Sequence, residues 1–403
     1  MLIKNQYGFR QGHSTYMAIM DMYDKISAAM NRNEYSVGVF IDLSKAFDTL
    51  DHDILLKKLE NYGLRGVPNK WFQNYLHNRK QYVFLSNCSS SMKSINYGVP
   101  QGSILGPLLF ILYINDIVNC SSVLKFVLFA DDTNLFHSDM NVWDLMSTLN
   151  CELMKLSNWF KANKLSMNIS KTNYIIFGRK KIVQSATSLQ LCIDGKILER
   201  VESTKFLGVM IDSKLNWSKH INHVSLKISK GLGIIGRLRN ALPLHVLLTL
   251  YYTLIFPYLS YCNIIWGYAS AALLRKLIVL QKRAVRIITS SPYRSESSPL
   301  FRRLHLLKLT DICKLQTALF MYKVKCELLP VSCMQYCKIN QQSMYSTRQK
   351  NYFDVDVFKT NIRERSIAVS GPRLWNSLTQ EAQSCTSLSF FKRFIVNSIF
   401  TAY

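Results

Sequence analysis

Leu124-Lys-Phe-Val-Leu-Phe-Ala-Asp-Asp-Thr-Asn-Leu-Phe136 is two strand-like runs hinged on an acidic pair. Residues 124–130 and 133–136 are apolar, β-branched or aromatic at most positions, so Asp131 and Asp132 belong in or beside a hairpin turn. Working back along the chain, Val37-Gly-Val-Phe-Ile-Asp42 is a short apolar run closing on a charge, which predicts a buried strand delivering Asp42 at its end. Asp51 and Asp53 then precede Leu55, Leu56 and Leu59 at helical spacing, with acid in the first turn and Gly63 as the stop. Gly98-Val-Pro-Gln-Gly-Ser103 predicts a glycine-rich loop ahead of a helix over 104–118, with Pro107 in its opening turn. Working forward, Val142, Leu145, Met146, Leu149, Leu153, Leu156 and Phe160 are spaced by threes and fours. They predict an amphipathic helix before Thr172-Asn-Tyr-Ile-Ile-Phe177 returns to strand character.

The order strand, helix, hairpin, helix, strand is that of a split β-α-β sheet of ferredoxin-like type. There the end of the first strand and the hairpin turn lie side by side although far apart in sequence. Asp42 is therefore expected to meet Asp131 and Asp132. Three carboxylates brought together repel and raise one another's pKa unless divalent cations sit among them, and magnesium suits oxygen ligands of this kind. Taken singly, each signal has an ordinary explanation. An Asp-Asp pair is common turn chemistry, Gln101-Gly102 is a helix start, and Phe47 is core. It is their combination in this order that points to chemistry.

Composition narrows the partners. The chain has 403 residues, 48% of them hydrophobic, enough for two or three subdomains each with its own core. Fifty Lys and Arg against 25 acidic residues give a net charge of +25, which calls for a polyanion. A peripheral membrane protein concentrates such charge on one amphipathic helix or polybasic run, whereas here it is spread along the chain. It is densest over residues 213–310, where fifteen basic residues face only Glu296, and that excess reads as a nucleic-acid footprint rather than solvated helix faces. Residues 247–266 carry no charge and have the length of a membrane span, but Pro257 and the tyrosines suit a broken, buried pair of helices better. Ten cysteines show no framework spacing and the chain opens without a signal peptide, which favours a reducing compartment. Cys326, Cys333 and Cys337 lack a completing ligand for zinc and read as buried or free thiols.

With these residues assembled, the chain resembles the reverse transcriptases of non-LTR (LINE-type) retrotransposons. Gln6-Tyr-Gly-Phe-Arg10 followed by Gly12-His-Ser-Thr15 resembles the fingers motif, which implies that Arg10 contacts the incoming triphosphate. Phe40-Ile-Asp-Leu-Ser-Lys-Ala-Phe-Asp48 resembles the palm motif, implying that Asp42 binds metal and that Phe47 excludes a ribose 2′-hydroxyl. Gly98-Val-Pro-Gln-Gly-Ser-Ile-Leu-Gly-Pro107 is the most specific match, and gives Gln101 and Gly102 the shaping of the nucleotide pocket. Phe129-Ala-Asp-Asp132 resembles the catalytic acidic pair, with Asp131 the direct ligand. Leu165-Ser-Met-Asn with Lys171-Thr172 resembles the next palm motif, whose lysine lies near the triphosphate. Phe206-Leu-Gly-Val-Met-Ile-Asp212 resembles the primer-grip hairpin, with Phe206, Leu207 and Gly208 at the primer. The match is more diffuse beyond, through Ser370-Gly-Pro-Arg-Leu-Trp-Asn376.

The resemblance implies an α+β right-hand polymerase fold: partial fingers over 1–35, a ferredoxin-like palm over 36–205 interrupted by a fingers segment at 60–97, a primer-grip hairpin and helical thumb over 206–290, and a helical C-terminal region over 291–403. A linker is expected over 331–352. It also implies an RNA-directed DNA polymerase of a retrotransposon, using two Mg2+ ions, with Mn2+ as a substitute, to transfer nucleotides from dNTPs to a primer 3′-OH. The partners would be an RNA template and a DNA primer or target DNA, inside the cell in nucleus or cytoplasm, with no membrane. Family members carry further fingers sequence, and often an endonuclease, ahead of the Gln6 motif. The chain is thus expected to be N-terminally truncated, and the competing expectation is a nucleic-acid-binding remnant with weak or no turnover.

Overall fold

The strand Tyr35–Ile41 has six of its seven residues buried, as a Val, Phe and Ile run with helices or strands on every side must be. It lies at the centre of a five-stranded sheet ordered Glu199–Arg200, Asn173–Phe177, Tyr35–Ile41, Asp132–Asp139, Lys125–Phe129. In this computed structural model, which describes residues 2–178, 190–334 and 353–403, the central strand pairs antiparallel with both neighbours. The chain divides into two compact units, Met1–Ala18 with Glu34–Val201, and Ile19–Asn33 with Glu202–Tyr403.

The first unit is built on that sheet. The expected helices are present as His52–Asn61, Leu105–Tyr113 and Val142–Ala162. Asp51 caps the first of them, its Oδ1 accepting from the Ile54 amide at 3.0 Å. The second is shorter than the expected 104–118. It ends after Tyr113, and a separate 3-10 turn covers Ile117–Cys120. Along the helix Val142–Ala162 the predicted apolar positions Leu145, Met146, Leu149, Leu153, Leu156 and Phe160 are all buried. The inserted segment at 60–97 forms a helix, Val67–Leu76, and two small ribbons, Arg79–Gln81 with Lys93–Ile95 and Phe84–Leu85 with Cys88–Ser89.

The described residues of the second unit are mainly helical and include the hairpin Ser203–Phe206 and Val209–Asp212. Asp212 closes that hairpin and caps the turn after it, its carboxylate accepting from the amides of Lys214, Asn216 and Trp217. Two long helices, Ser218–Leu238 and Ala271–Ile288, pack together, and Gln281 of the second accepts from the Leu309 amide at 2.8 Å, tying the helix Leu309–Lys325 to them. The uncharged stretch 247–266 is divided among Leu244–Leu254, Phe256–Ser260 and Asn263–Trp266, three helices rather than two. Leu247, Tyr251, Ile255, Leu259 and Trp266 are buried. No helix among the described residues is long and apolar enough to cross a membrane.

The residues expected as partial fingers, 1–35, divide between the units, for a physical reason. Within the second unit the Tyr23 ring lies 5.3 Å from that of Trp217, and buried Arg363 bonds Asp24, the Ser27 hydroxyl and Asp356. Burial of one guanidinium between two carboxylates is a strong tether only because its donors are satisfied. Of the three cysteines considered together, Cys326 is exposed and Cys333 buried, both free, and Cys337 lies outside the described residues. Most of the expected 331–352 linker also lies outside them.

Candidate active site

The register of the sheet decides where the first acid goes. Ile41 pairs with Thr133, and Phe129 pairs with Asp132 across the hairpin, leaving Ala130 and Asp131 as its two-residue turn. One residue past Ile41 is Asp42, and one before Thr133 is Asp132, so continuing the antiparallel register sets the two acids opposite each other. Ala130 takes a positive φ of 55°, a conformation that L side chains adopt at a cost of about 1 kcal/mol.

The loop carrying the fingers motif is docked on this turn by hydrogen bonds. Leu128 donates to the Asn5 carbonyl and accepts from the Tyr7 amide, and the Gln6 side-chain oxygen accepts from both the Gly8 and Ala130 amides, at 2.8 and 3.0 Å. Gly8 lies so close that a Cβ there would meet the Ala130 nitrogen at 2.4 Å. Arg10 reaches back over its own loop, donating to the Ile3 and Gln6 carbonyls at 2.6 and 3.0 Å, and partial burial lowers its pKa from the ordinary value. It therefore braces the motif in this structure.

The other side of the Asp42 strand end is held by the motif at 165–172. The Asp42 carbonyl accepts from the Asn168 amide at 2.8 Å, and its own amide donates to the Thr172 hydroxyl at 3.3 Å. Lys171 Nζ stands 3.8 Å from Asp42 Oδ2, a solvent-exposed pair of little energetic weight but of suitable placement. Phe47 lies beyond the same strand exit, its ring 4.5 Å from Phe110 and edge-on to Phe9 at 6.4 Å. The glycine-rich loop closes over it: the Val99 amide donates to the Phe47 carbonyl, and Gln101 Nε2 donates to Asp48 Oδ1 at 2.8 Å. Gly98, at φ 83°, lies against the Asp48 backbone so closely that a Cβ would stand 2.7 Å from its carbonyl oxygen. Gly102 also has a positive φ and open space around it.

Asp42, Asp131, Asp132, Arg10, Phe47, Gln101, Gly102 and Lys171 thus all lie in the first unit. Phe206, Leu207 and Gly208 belong to the second. There Leu207 and Gly208 form the hairpin tip, both at positive φ, and Tyr261 donates to the Leu207 carbonyl at 2.7 Å. Sequence reasoning missed Gln6, Asp48 and Tyr261 as the groups that hold these loops. A side-chain bond to a backbone 124 residues away leaves no periodic trace.

The charges of the three acids act on one another. The Asp132 carboxyl is pushed up to about 6, first by partial removal from water and then by Asp131 and Asp42. Among the described residues no three acidic, histidine or cysteine side chains are gathered tightly enough to grip a metal ion directly. The acids are near enough to repel without converging on one point. As a donor set, three carboxylates with one held above its ordinary range by burial and by its neighbours fit a hard divalent cation, whose charge would offset both costs.

The sign of this shift carries a stability prediction. A carboxyl raised in the fold penalises the folded state fully above about pH 6, and the penalty vanishes below the unfolded carboxylate range near 4. Asp132→Asn, melted in chelator, is therefore expected to gain on the order of 1 kcal/mol at neutral pH, partial solvent contact having reduced the cost of burial and repulsion, and almost nothing at about pH 3. A gain that did not depend on pH would mean that the fold does not raise the Asp132 carboxyl.

The family model for "Reverse transcriptase (RNA-dependent DNA polymerase)" matches residues 1–211. The chain is 30% identical over 319 residues to a probable RNA-directed DNA polymerase from transposon BS of Drosophila melanogaster, covering 76% of this chain and 34% of that protein. It is 27% identical over 343 residues to the RNA-directed DNA polymerase from mobile element jockey of the same species, covering 82% and 36%. The match thus spans about a third of the length of these curated relatives. Among solved structures, RNA-bound telomerase from Candida tropicalis aligns over 99% of this chain and 54% of its own at 10% identity, with a TM-score of 0.42. The apo form aligns over 77% and 51% at 12% identity, with a TM-score of 0.39. Matched over more than half its length, including every segment that carries the acids and the loops around them, the chain belongs to the reverse transcriptase (RNA-dependent DNA polymerase) family, with relatives among the non-LTR retrotransposons.

Proposed function

We propose that the chain is the polymerase part of a non-LTR retrotransposon, an RNA-directed DNA polymerase that transfers nucleotides from dNTPs to a primer 3′-OH. The observation that carries the reading is the pairing of Ile41 with Thr133, which sets Asp42 opposite Asp132 beside a turn braced by Gln6. Family members generally use divalent metal ions. Two Mg2+ ions, with Mn2+ as substitute, are our proposal here, held by Asp42, Asp131 and Asp132. When bound, such ions activate the attacking hydroxyl and offset charge on the leaving group.

The protein's own groups then have separate tasks. The three carboxylates, mounted on a strand end and a tight hairpin, offer fixed anionic oxygens at one side of the site. Lys171 and Arg10 supply positive charge toward a triphosphate, Arg10 after exchanging its present carbonyl partners for phosphate oxygens. Phe47, Gln101 and Gly102 form the wall against which a nucleotide sugar would lie. Phe206, Leu207 and Gly208 present a rigid turn to the primer, and the basic helices of the second unit hold phosphates of template and primer. Such an enzyme would work inside the cell, in nucleus or cytoplasm, where RNA template and target DNA are found.

The test is primer extension on an RNA template, in Mg2+ and in chelator, with the variants argued in the Discussion as controls. Cation-dependent incorporation supports the reading, and salt-sensitive nucleic-acid binding with no incorporation would replace it with that of a binding remnant. Sugar selection gives a finer check. With its ring clamped by Phe110 and Phe9, Phe47 cannot yield to an added 2′-oxygen. We expect Phe47→Ala to raise the kcat/KM for ribonucleotides relative to deoxynucleotides by roughly 10- to 100-fold. An unchanged ratio would remove Phe47 from that role.

A further inference from the structure

We infer that the cleft between the helices Ser218–Leu238 and Ala271–Ile288 binds a single strand of nucleic acid, gripping its phosphates with arginine and stacking one base on Tyr293. The inference rests on the polymerase reading for its class of ligand, and it separates this cleft from the general attraction of a basic surface for a duplex.

Four observations converge on the site. The cleft encloses about 510 Å³ and is lined by Arg237, Arg239, Arg283 and Arg286. That volume lies in the range of small-ligand pockets, so it admits a nucleotide unit and excludes a double helix, which could only lie across its mouth. None of the four arginines has an ion-pair partner among the described residues, and the only acidic residue within 213–310 is Glu296. Four guanidinium groups facing one cavity repel one another, and an inserted phosphodiester strand removes that repulsion while satisfying forked donors that water satisfies less well.

The cleft wall supplies the space. Gly233 and Gly236 line it, and a Cβ at either would meet nothing within 4 Å. Two glycines three residues apart on an exposed helix face weaken the helix for no packing return, so the room they leave is itself a feature. The rim supplies the aromatic face. Tyr293 is 78% exposed on a turn closed by the Ser295 amide donating to the Pro292 carbonyl, and Arg286 Nε donates to the Ser295 carbonyl at 2.9 Å. The arginine thus fixes the tyrosine's loop against the cleft while its remaining nitrogens are free for phosphate. An exposed aromatic ring on a tethered loop beside a basic groove is how single strands are bound without regard to sequence, because every base has a face to stack and a duplex has none to spare along its length.

The experiment is fluorescence-anisotropy binding by the full chain of labelled oligouridylate, labelled oligothymidylate and a blunt hairpin duplex, over a salt series, with primer extension measured on the same preparations. We expect Tyr293→Ala to weaken single-strand binding about tenfold and duplex binding by less than about twofold. Gly233→Leu, which fills the cleft without touching a charge, is expected to weaken single-strand binding at least as much, whereas Gly233→Ala retains it. Both replacements at Gly233 favour the helix, so the loss expected of Gly233→Leu is not attributable to unfolding, and thermal melting checks this. Arg237→Gln with Arg283→Gln is expected to lower the slope of log K against log salt by about 1.5 for the single strands. Preference for uridylate or for thymidylate identifies the strand as RNA or DNA, and either supports the site. Equal losses on duplex and single strand, or full single-strand binding by Gly233→Leu, would overturn it. Because extension is read separately, single-strand binding lost on filling the cleft while wild type extends no primer would sink the polymerase reading and leave the cleft standing.

Discussion

Replacing Asp131 and Asp132 together by asparagine is expected to lower primer extension at least ~1000-fold while leaving template-primer binding within about twofold. Asparagine keeps the shape and the hydrogen-bonding reach of aspartate, so the two-residue turn between Phe129 and Asp132 survives. What goes is two of the three carboxylates, including Asp132, whose carboxyl partial burial and then Asp131 and Asp42 push up to about 6. A cation facing Asp42 alone would lose most of the ligands proposed for it, and the several kcal/mol it would contribute to the transition state would go with them. The phosphate contacts proposed for the second unit are untouched, so binding persists. The same variant is expected to be more stable than wild type without cations, because it relieves a repulsion. Loss of activity with a gain in stability cannot be ascribed to misfolding. Extension by the double variant at the wild-type rate would refute the assignment of these acids.

Gly8→Val is expected to do comparable damage from outside the acidic set. A Cβ there would sit 2.4 Å from the Ala130 nitrogen and 3.0 Å from the Phe129 carbonyl carbon, both backbone atoms of the hairpin that carries the acids. No flexible side chain can give way, so the loop must lift, and both hydrogen bonds to the Gln6 side-chain oxygen are strained or broken. Displacing a catalytic group by about 1 Å costs on the order of 100-fold in rate, and forcing backbone apart in a packed region costs roughly 1 to 3 kcal/mol. We expect both, read by primer extension and by melting midpoint. Wild-type values for each would show that the fingers motif is not seated on the turn.

Much of the first unit was legible in the sequence because its signals are local. The β-branched run 37–41 reads as a buried strand, and the acidic pair between two such runs as lying in or beside a tight turn. The antiparallel register then left Asp42 and Asp132 face to face. The apolar spacing from Val142 to Phe160 specified its helix nearly to the residue. Less local relations were hidden. That 19–33 would join the second unit depends on Tyr23 meeting Trp217 and on Asp24 meeting Arg363, pairs separated by some 190 and 340 positions, which no window along the chain contains. In 247–266 the first break falls at Pro257, which has no amide hydrogen to donate and was legible, but the second turns on Cys262 taking a left-handed φ of 51°, which the uncharged composition does not encode. The bond from Gln101 to Asp48 was out of reach for a related reason: each residue had its own local explanation, and only the fold brings them to 2.8 Å.

The proposed chemistry requires that acids from two distant segments share divalent ions. Mapping where the protein is cut when Fe2+ replaces Mg2+ and peroxide generates hydroxyl radicals at the bound metal tests it most directly. We predict backbone cleavage in two places at once, around residue 42 and around residues 131–132, competed by Mg2+ and lost from both in Asp42→Asn. Cleavage confined to one segment, or surviving at 131–132 unchanged when Asp42 is replaced, would contradict the account.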